Sequence, residues 1–262
     1  MNINKLIHLL LIIITIIAIS TYLTINDIGS IPYSIKQLSQ WIIYSSYLVS
    51  EPSFSSMVPA VVNAVIWDYR GIDTFFETSV FYIAIISSIA LFREVGSKLI
   101  KEYRYLGLSK IVKTVTKILL VIALGASVAI ALHGHLTPGG GFQAGSILAA
   151  LLLIIIIVFS VYFIQAKGLT KNLVIIIRSI GLIGLVLIIF IPILISLVSN
   201  SYGFIFQNQA KVMSPLGFSY ITDGYILSAM VLLLNIFEFI AIFAGFLIIF
   251  ILISTQTKES EK

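Results

Sequence analysis

Apolar positions gather into six long runs, near Leu6–Thr24, Thr74–Phe92, Val115–Leu132, Phe142–Ile164, Leu173–Val198 and Tyr225–Ser254, separated by polar, basic or glycine-rich segments. A helix rises about 1.5 Å per residue, so each run can cross roughly 30 Å of hydrocarbon. The pattern predicts an all-α polytopic membrane protein of about six transmembrane helices. The last two runs exceed the minimum, which permits tilt without fixing it. The first run follows Lys5 and passes Ala18-Ile19-Ser20, features shared with a cleaved signal peptide, but we expect a retained helix.

Composition agrees with the pattern. Hydrophobic residues make up 59% of the chain and charged residues 10%, whereas a soluble domain is about a quarter charged. Mean hydropathy is +1.11. The chain has no cysteine, which excludes disulfides, thiolate metal sites, iron–sulfur ligation and a cysteine nucleophile. Any redox cofactor then belongs to a partner.

Charge sets an expected orientation. If Arg93–Lys117 faces the cytoplasm, alternation places both termini and Gln165–Arg178 on that side with it. That side then holds 13 of the 16 Lys and Arg, leaving Lys36, Arg70 and Lys211 outside. Such asymmetry is the positive-inside signature. The basic run Arg93–Arg104 is interleaved with acids and lies between two spans, so topology and anionic lipid explain it and no nucleic-acid partner is expected.

Two segments between spans carry further structure. In Asn26–Trp67, Ile35, Leu38, Trp41, Ile42 and Tyr44 recur at roughly helical spacing among Lys36, Gln37, Ser39 and Gln40, predicting an interfacial helix. Pro52 and Pro59 then precede a second short apolar stretch, Ala60–Trp67. Ser199–Gly224, with Gly203, Pro215, Gly217 and Gly224, reads as a loop.

Three polar clusters carry the candidate chemistry. The first is the break His133-Gly134-His135-Leu136-Thr137-Pro138-Gly139-Gly140-Gly141-Phe142-Gln143. Lipid cannot satisfy its free backbone groups, so it must meet water or protein. Two histidines without a nearby third ligand do not make a metal site, and the glycines lack the Lys-Ser/Thr of a phosphate loop. The break does suit close packing: Pro138 can start a helix, and Gly141, Gly145 and Ala149 form a small-xxx-small face.

The second cluster is Glu238, near the middle of the last run, where an ionised side chain costs about 2.5–3.5 kcal/mol. It must be neutral, paired with another subunit or in water. Ser228, Asn235, Glu238, Ile242 and Gly245 fall near one helix stripe that should face protein. Two readings stand: a protonated Glu238 hydrogen-bonded to Asn235 for packing, or a way-station for a proton or cation.

The third is Trp67-Asp68-Tyr69-Arg70-Gly71-Ile72-Asp73-Thr74-Phe75-Phe76-Glu77. Asp73 and Glu77, four apart, would share a helix face at an ion entrance. The alternative is structural: Thr74 and Glu77 form a capping box, and Asp68 pairs with Arg70 across the turn. Spacing alone favours the structural alternative.

At this point a family resemblance enters. Pro138-Gly139-Gly140-Gly141-Phe142-Gln143-Ala144-Gly145 resembles the signature of the B subunit of Mrp-type multisubunit Na⁺/H⁺ antiporters and its counterparts in archaeal membrane-bound hydrogenase and sulfur-reducing complexes. Leu227-Ser228-Ala229-Met230 and Leu233-Leu234-Asn235-Ile236 are similar to that subunit's last helix. Asp68–Glu77 resembles the Asp-Phe-Arg-Gly-Phe-Asp-Thr-Leu-x-Glu pattern at the C-terminal end of the large Mrp A subunit, with departures at Tyr69, Ile72 and Phe75. The resemblance covers most of residues 58–254. It implies a two-helix A-like region over residues 1–110 joined to a four-helix B-like domain over 111–262.

The resemblance also implies a function. The chain would be a non-redox, non-enzymatic subunit in the cell membrane, without a cofactor, working beside other membrane subunits in moving Na⁺ or H⁺. It shifts the weight at Glu77 toward cation movement and gives the glycine-rich segment a structural role. The offset of Glu238 from the Leu-Leu-Asn-Ile motif differs from the family's pattern. The nearer alternative is an ion-translocating subunit of a ferredoxin-linked hydrogenase or sulfur-reducing complex; the more distant one is a scaffold without an ion path.

Overall fold

The computed structural model describes residues 3–25, 35–92 and 108–256. The basic segment 93–107 and the tail Lys258–Lys262, on which the expected orientation leans, lie outside the described residues. The chain forms two compact units, Met1–Trp41 and Ile42–Lys262.

In the first unit, α1 spans Ile3–Ile25. Its side chains from Leu10 to Ile25 are exposed, as expected of a helix that meets lipid all round. Thr15, Thr21 and Thr24 return their hydroxyls to the carbonyl one turn back, at 2.8–2.9 Å, which satisfies these three donors within the helix. The interfacial helix expected from the 35–44 pattern is α2, Gln37–Ser46, with Leu38, Trp41 and Tyr44 exposed.

In the second unit, α3 (Val61–Ala64) widens into a π-helical turn, Val65–Tyr69, and leads into α4, Gly71–Leu91. Then come α5 (Lys110–His133), α6 (Gly141–Phe159), α7 (Val161–Ala166), α8 (Lys171–Ser199) and α9 (Ala229–Gln256). Five of the predicted runs, α4, α5, α6, α8 and α9, are long and apolar enough to cross a membrane, and Leu10–Ile25 of α1 is a shorter apolar helix.

Helix α9 is the centre of the packing. It lies chiefly against α6 and α8, with α4 and α5 also touching it and α5 leaning on α6. Half of its apolar window is buried, against 17% for α4 and for α5. One buried cluster joins Trp67, Leu185, Ile188, Met230, Val231 and Leu234. A second joins Ile85, Ile155, Val174, Leu247, Ile248 and Ile251 toward the other end of α9. A helix buried on most sides needs no polar face, which is why α9 reads as almost uniformly apolar.

Several boundaries differ from the sequence reading, each for a visible reason. Helix α4 starts at Gly71, with Arg70 at its N-cap. The Thr74 hydroxyl donates instead to the Ile66 carbonyl at 2.8 Å, so the expected Thr74–Glu77 capping box does not form. Helix α6 starts at Gly141 with Gly140 as its N-cap, so Pro138 does not initiate it. The run Phe142–Ile164 is broken at Ser160, whose φ of 91° leaves helical space. Helix α8 stops at Asn200, whose left-handed conformation (φ 48°) caps the C-terminus.

The fold is also not purely helical. The segment expected to be a loop running into a helix at Tyr225 contains a hairpin, β1 (Ser219–Thr222) paired antiparallel with β2 (Tyr225–Ser228). Asp223 and Gly224 both have positive φ, 48° and 82°, the two-residue turn that Asp-Gly favours. Helix α9 therefore begins at Ala229, four residues later than the hydropathy indicates.

Candidate functional site

The glycine-rich break is a loop folded back onto itself and clasped from two sides. His133 O accepts the Leu136 and Thr137 amides at 2.8 and 2.9 Å. From α3, the Ala60 amide donates to His135 O at 3.1 Å and the Asn63 side-chain amide donates to Gly139 O. The carbonyls of His133, His135 and Gly139 are thus met by protein, as a membrane location favours. Gly139 has φ 149°, a backbone conformation closed to most residues.

From the other side, α9 presses on the first turns of α6. A Cβ built on Gly141 would lie 2.4 Å from Asn235 O and 2.7 Å from Glu238 Oε2, and one on Gly145 would lie 2.9 Å from Phe239 O. The small-residue face read from Gly141, Gly145 and Ala149 is therefore what admits α9. Phe142 is partly exposed and meets the rings of Phe81 and Phe246, while Gln143 is exposed with its Oε1 near Gly140. Pro138 is exposed.

The stripe predicted on α9 faces protein: Ser228, Asn235, Glu238 and Ile242 are all buried, and Gly245 meets Phe81 and Ile85. Asn235 does not bond Glu238. Its Oδ1 accepts the Trp67 indole N–H at 3.0 Å, while its Nδ2 lies against Gly134 and has no hydrogen-bond partner among the described residues. The packing reading of an Asn235–Glu238 hydrogen bond is thereby replaced by a Trp67–Asn235 one. Glu238, 5% exposed, sits against Gly141 and the backbone of Phe142 and within electrostatic range of Glu77.

The third cluster divides. Arg70 pairs with Asp73, both Nε and Nη2 lying 2.6 Å from Oδ2, on an exposed surface. The expected Asp68–Arg70 pair does not form: Asp68 accepts the Ser56 hydroxyl at 2.6 Å. Burial pushes its carboxyl above the usual carboxylate range, with Ser56, Lys211 and Asn208 opposing. Thr74 is buried and Gly71 lies against the Phe206 ring. Glu77 is exposed on α4. Of the predicted acids, Glu77 is exposed on α4 within electrostatic range of the buried Glu238, Asp73 is held by Arg70 one turn earlier, and Asp68 is held by Ser56.

The two histidines are occupied separately. His133 Nδ1 contacts Ala129 O at 3.0 Å. His135, 2% exposed, has its Nε2 2.6 Å from the Tyr220 hydroxyl, tying the glycine-rich loop to β1. Burial lowers the His135 pKa to about 4, and His133 adds to this. Among the described residues no group of three or more His, Cys, Asp or Glu converges on a metal position.

Asn63, Tyr220 and Asn208 escaped the sequence reading as functional residues, and Trp67 entered it only as a segment boundary and as the first residue of the third cluster, without its bond to Asn235. Asn208 donates to Ser56 O and accepts from Ser228 and Gln209, joining the α3 approach to the start of α9. Asn63 was signalled only as a polar residue inside the apolar stretch Ala60–Trp67. Asp223-Gly224 between two apolar-polar runs was a readable hairpin signal.

Comparison with known proteins adds to the geometry. A curated relative, an uncharacterized protein MJ1307 of Methanocaldococcus jannaschii, is 30% identical over 118 residues, covering 39% of this chain and 45% of the relative. The chain thus spans under half of that relative's length. A subunit of the membrane-bound sulfane sulfur reductase, an archaeal respiratory membrane complex, superposes with TM-score 0.60 at 20% identity over 95% of this chain and 99% of its own. A chain of the Mrp complex from Dietzia sp. DQ12-45-1b superposes with TM-score 0.57 at 15% identity over 100% of this chain and 27% of its own. Both share the fold of a polytopic membrane subunit, and the protein is a multi-pass protein of the cell membrane. Residues 111–248, more than half of the chain, match the family described as a domain related to the MnhB subunit of Na⁺/H⁺ antiporter. With its glycine-rich helix start locked under α9, the chain belongs to this MnhB-related family.

Proposed function

We propose that the protein is a non-redox, non-catalytic membrane subunit of an Mrp-type cation/proton antiporter module, in which Glu77 and Glu238 carry Na⁺ or H⁺. The observation behind this reading is electrostatic: an exposed carboxylate of α4 lies within range to act on a carboxyl buried in the central helix. Two carboxyl groups at such a place resist both being charged, so a proton or cation between them is stabilised and can be handed on. Asn235 supports the site through Trp67, and Asp73, held by Arg70, stands one turn before Glu77 at its approach. The glycine-rich segment sets the α6–α9 spacing that places Glu238. In this reading residues 1–110 correspond to the A-like region and 111–262 to the B-like domain, with both termini cytoplasmic and other membrane subunits as partners.

A second reading is favoured by one observation, the 99% coverage of a respiratory-complex subunit. It keeps the same ion site but places it in a redox-driven assembly. Mass spectrometry of the mildly solubilised native complex separates the two: antiporter-type subunits alone support the first, cluster-binding redox subunits the second.

The ion site itself is tested with Glu77→Gln and Glu238→Gln in membrane vesicles from cells expressing the assembled complex. Both should lower cation-dependent proton movement at least tenfold while subunit composition stays unchanged. Full transport in both variants would leave the chain a scaffold.

A further inference from the structure

Arg178 is a buried cation that the ion site does not use. It lies seven residues into α8, about 10 Å along the helix, and contacts α4 at Tyr82, roughly the middle of that span. Its exposure is 6%. Its guanidinium is stacked over the Tyr82 ring at 4.7 Å and donates from Nη2 to Tyr82 O at 3.1 Å. Those contacts use one of five N–H donors and supply no negative charge. Among the described residues the one ion pair is Arg70–Asp73, at the start of α4 and about nine residues from Tyr82. Charged side chains inside spans are costly, and they persist where a counter-charge or water meets them.

The place from which a counter-charge can come is beside it. A groove of about 480 Å³ lies between α4 and α8, lined by Phe75, Thr78, Ser79 and Tyr82 on one side and on the other by residues of α8 between Ser179 and Leu187, Val186 among them. The helices run antiparallel along it, so Tyr82 and Ser179 form one end, and that is the end at which Arg178 is held. The wall hydroxyls of Thr78, Ser79 and Ser179 are already returned to their own helix backbones. They offer a smooth small-residue surface and make no demand for a polar ligand of their own. The groove is thus an apolar trough whose Tyr82–Ser179 end adjoins the guanidinium stacked on Tyr82.

We propose that this groove receives a membrane-spanning helix of another subunit, and that this helix places an aspartate or glutamate against Arg178. The guanidinium fork matches a carboxylate in two parallel hydrogen bonds, so the pair fixes the depth and rotation of the incoming helix as well as its identity. The inference rests on the multisubunit reading above but not on its ion route, since assembly and ion movement are measured separately.

The first test leaves Arg178 intact. A photo-crosslinking amino acid replaces Val186, an exposed groove residue, and the complex is irradiated in native membranes. A crosslink to a spanning helix with an acidic residue at the depth of Arg178 upholds the proposal. Adducts to phospholipid alone, or to a helix without such an acid, overturn it. The second test purifies complexes carrying Arg178→Gln and Arg178→Lys. The Gln variant should lose the crosslinked subunit at least tenfold, while Lys, which keeps the charge, retains most of it. Unchanged composition in Arg178→Gln refutes the pairing; if that variant fails to accumulate, the crosslink decides.

Discussion

The tightest constraint in the structure is the contact of α9 with the first turn of α6, and Gly141→Ala probes it directly. The added methyl would stand 2.4 Å from Asn235 O and 2.7 Å from both Cβ and Oε2 of Glu238, where real Cβ atoms keep at least 3.0 Å. The obstruction is backbone, so no side-chain rotation relieves it, and α9 must withdraw by about half an ångström or more. Overpacking of this kind costs about 1–3 kcal/mol. Alanine recovers about 0.5–1 kcal/mol through its better helix propensity. The net loss is then about 0–2.5 kcal/mol, with a middle value of about 1 kcal/mol that lowers the melting temperature by roughly 2–4 °C for a chain of this size. Gly125→Ala on α5 is the control, since its Cβ meets nothing within 4 Å. It gains the same propensity and should melt no lower than the parent. Thermal unfolding of the detergent-solubilised protein, followed by tryptophan fluorescence in a Trp41→Phe background that leaves Trp67 as the emitter, reads both. If Gly141→Ala melts with the parent, the close contact is not what holds α6 to α9, and its role in placing Glu238 fails with it.

Other expectations follow from the same geometry. Trp67→Phe removes the donor to Asn235 and leaves Oδ1 buried and unpaired; it should cost about 1–3 kcal/mol, read by circular-dichroism melting, and a parental melting curve would remove the bond from the account. His135 is held neutral in the fold, with its pKa lowered from 6.5 to about 4. A lowered pKa means that its contribution is complete above about pH 6.5 and is lost as pH falls toward 4, by about 3 kcal/mol at most. The melting temperature of the parent should therefore fall more steeply than that of His135→Gln over this window, and parallel curves would contradict the burial argument. Asp73→Asn breaks an exposed pair with Arg70, so stability should move by under about 1 kcal/mol; a larger shift in denaturant titration would mean that the pair braces the start of α4.

Much of this protein was legible without coordinates because lipid imposes one-dimensional rules. A spanning helix must satisfy its own backbone and show lipid an apolar surface, so length and hydropathy alone located α4, α5, α6, α8 and α9. Glycines at 141 and 145 within an apolar helix announced a close neighbour, and the stripe through Asn235 and Glu238 announced a buried face. The sequence could not say which helix is the neighbour, since every span is apolar enough to pack against any other. Only the tertiary structure decided that α9 is central, that Asn235 answers Trp67 rather than Glu238, and that Thr74 reaches back to Ile66 instead of capping α4. It likewise set Glu77 within electrostatic range of Glu238, 161 positions apart, and buried Arg178 against Tyr82 beside a groove. Those are long-range choices made by packing and by the few buried hydrogen bonds, and local periodicity carries no record of them.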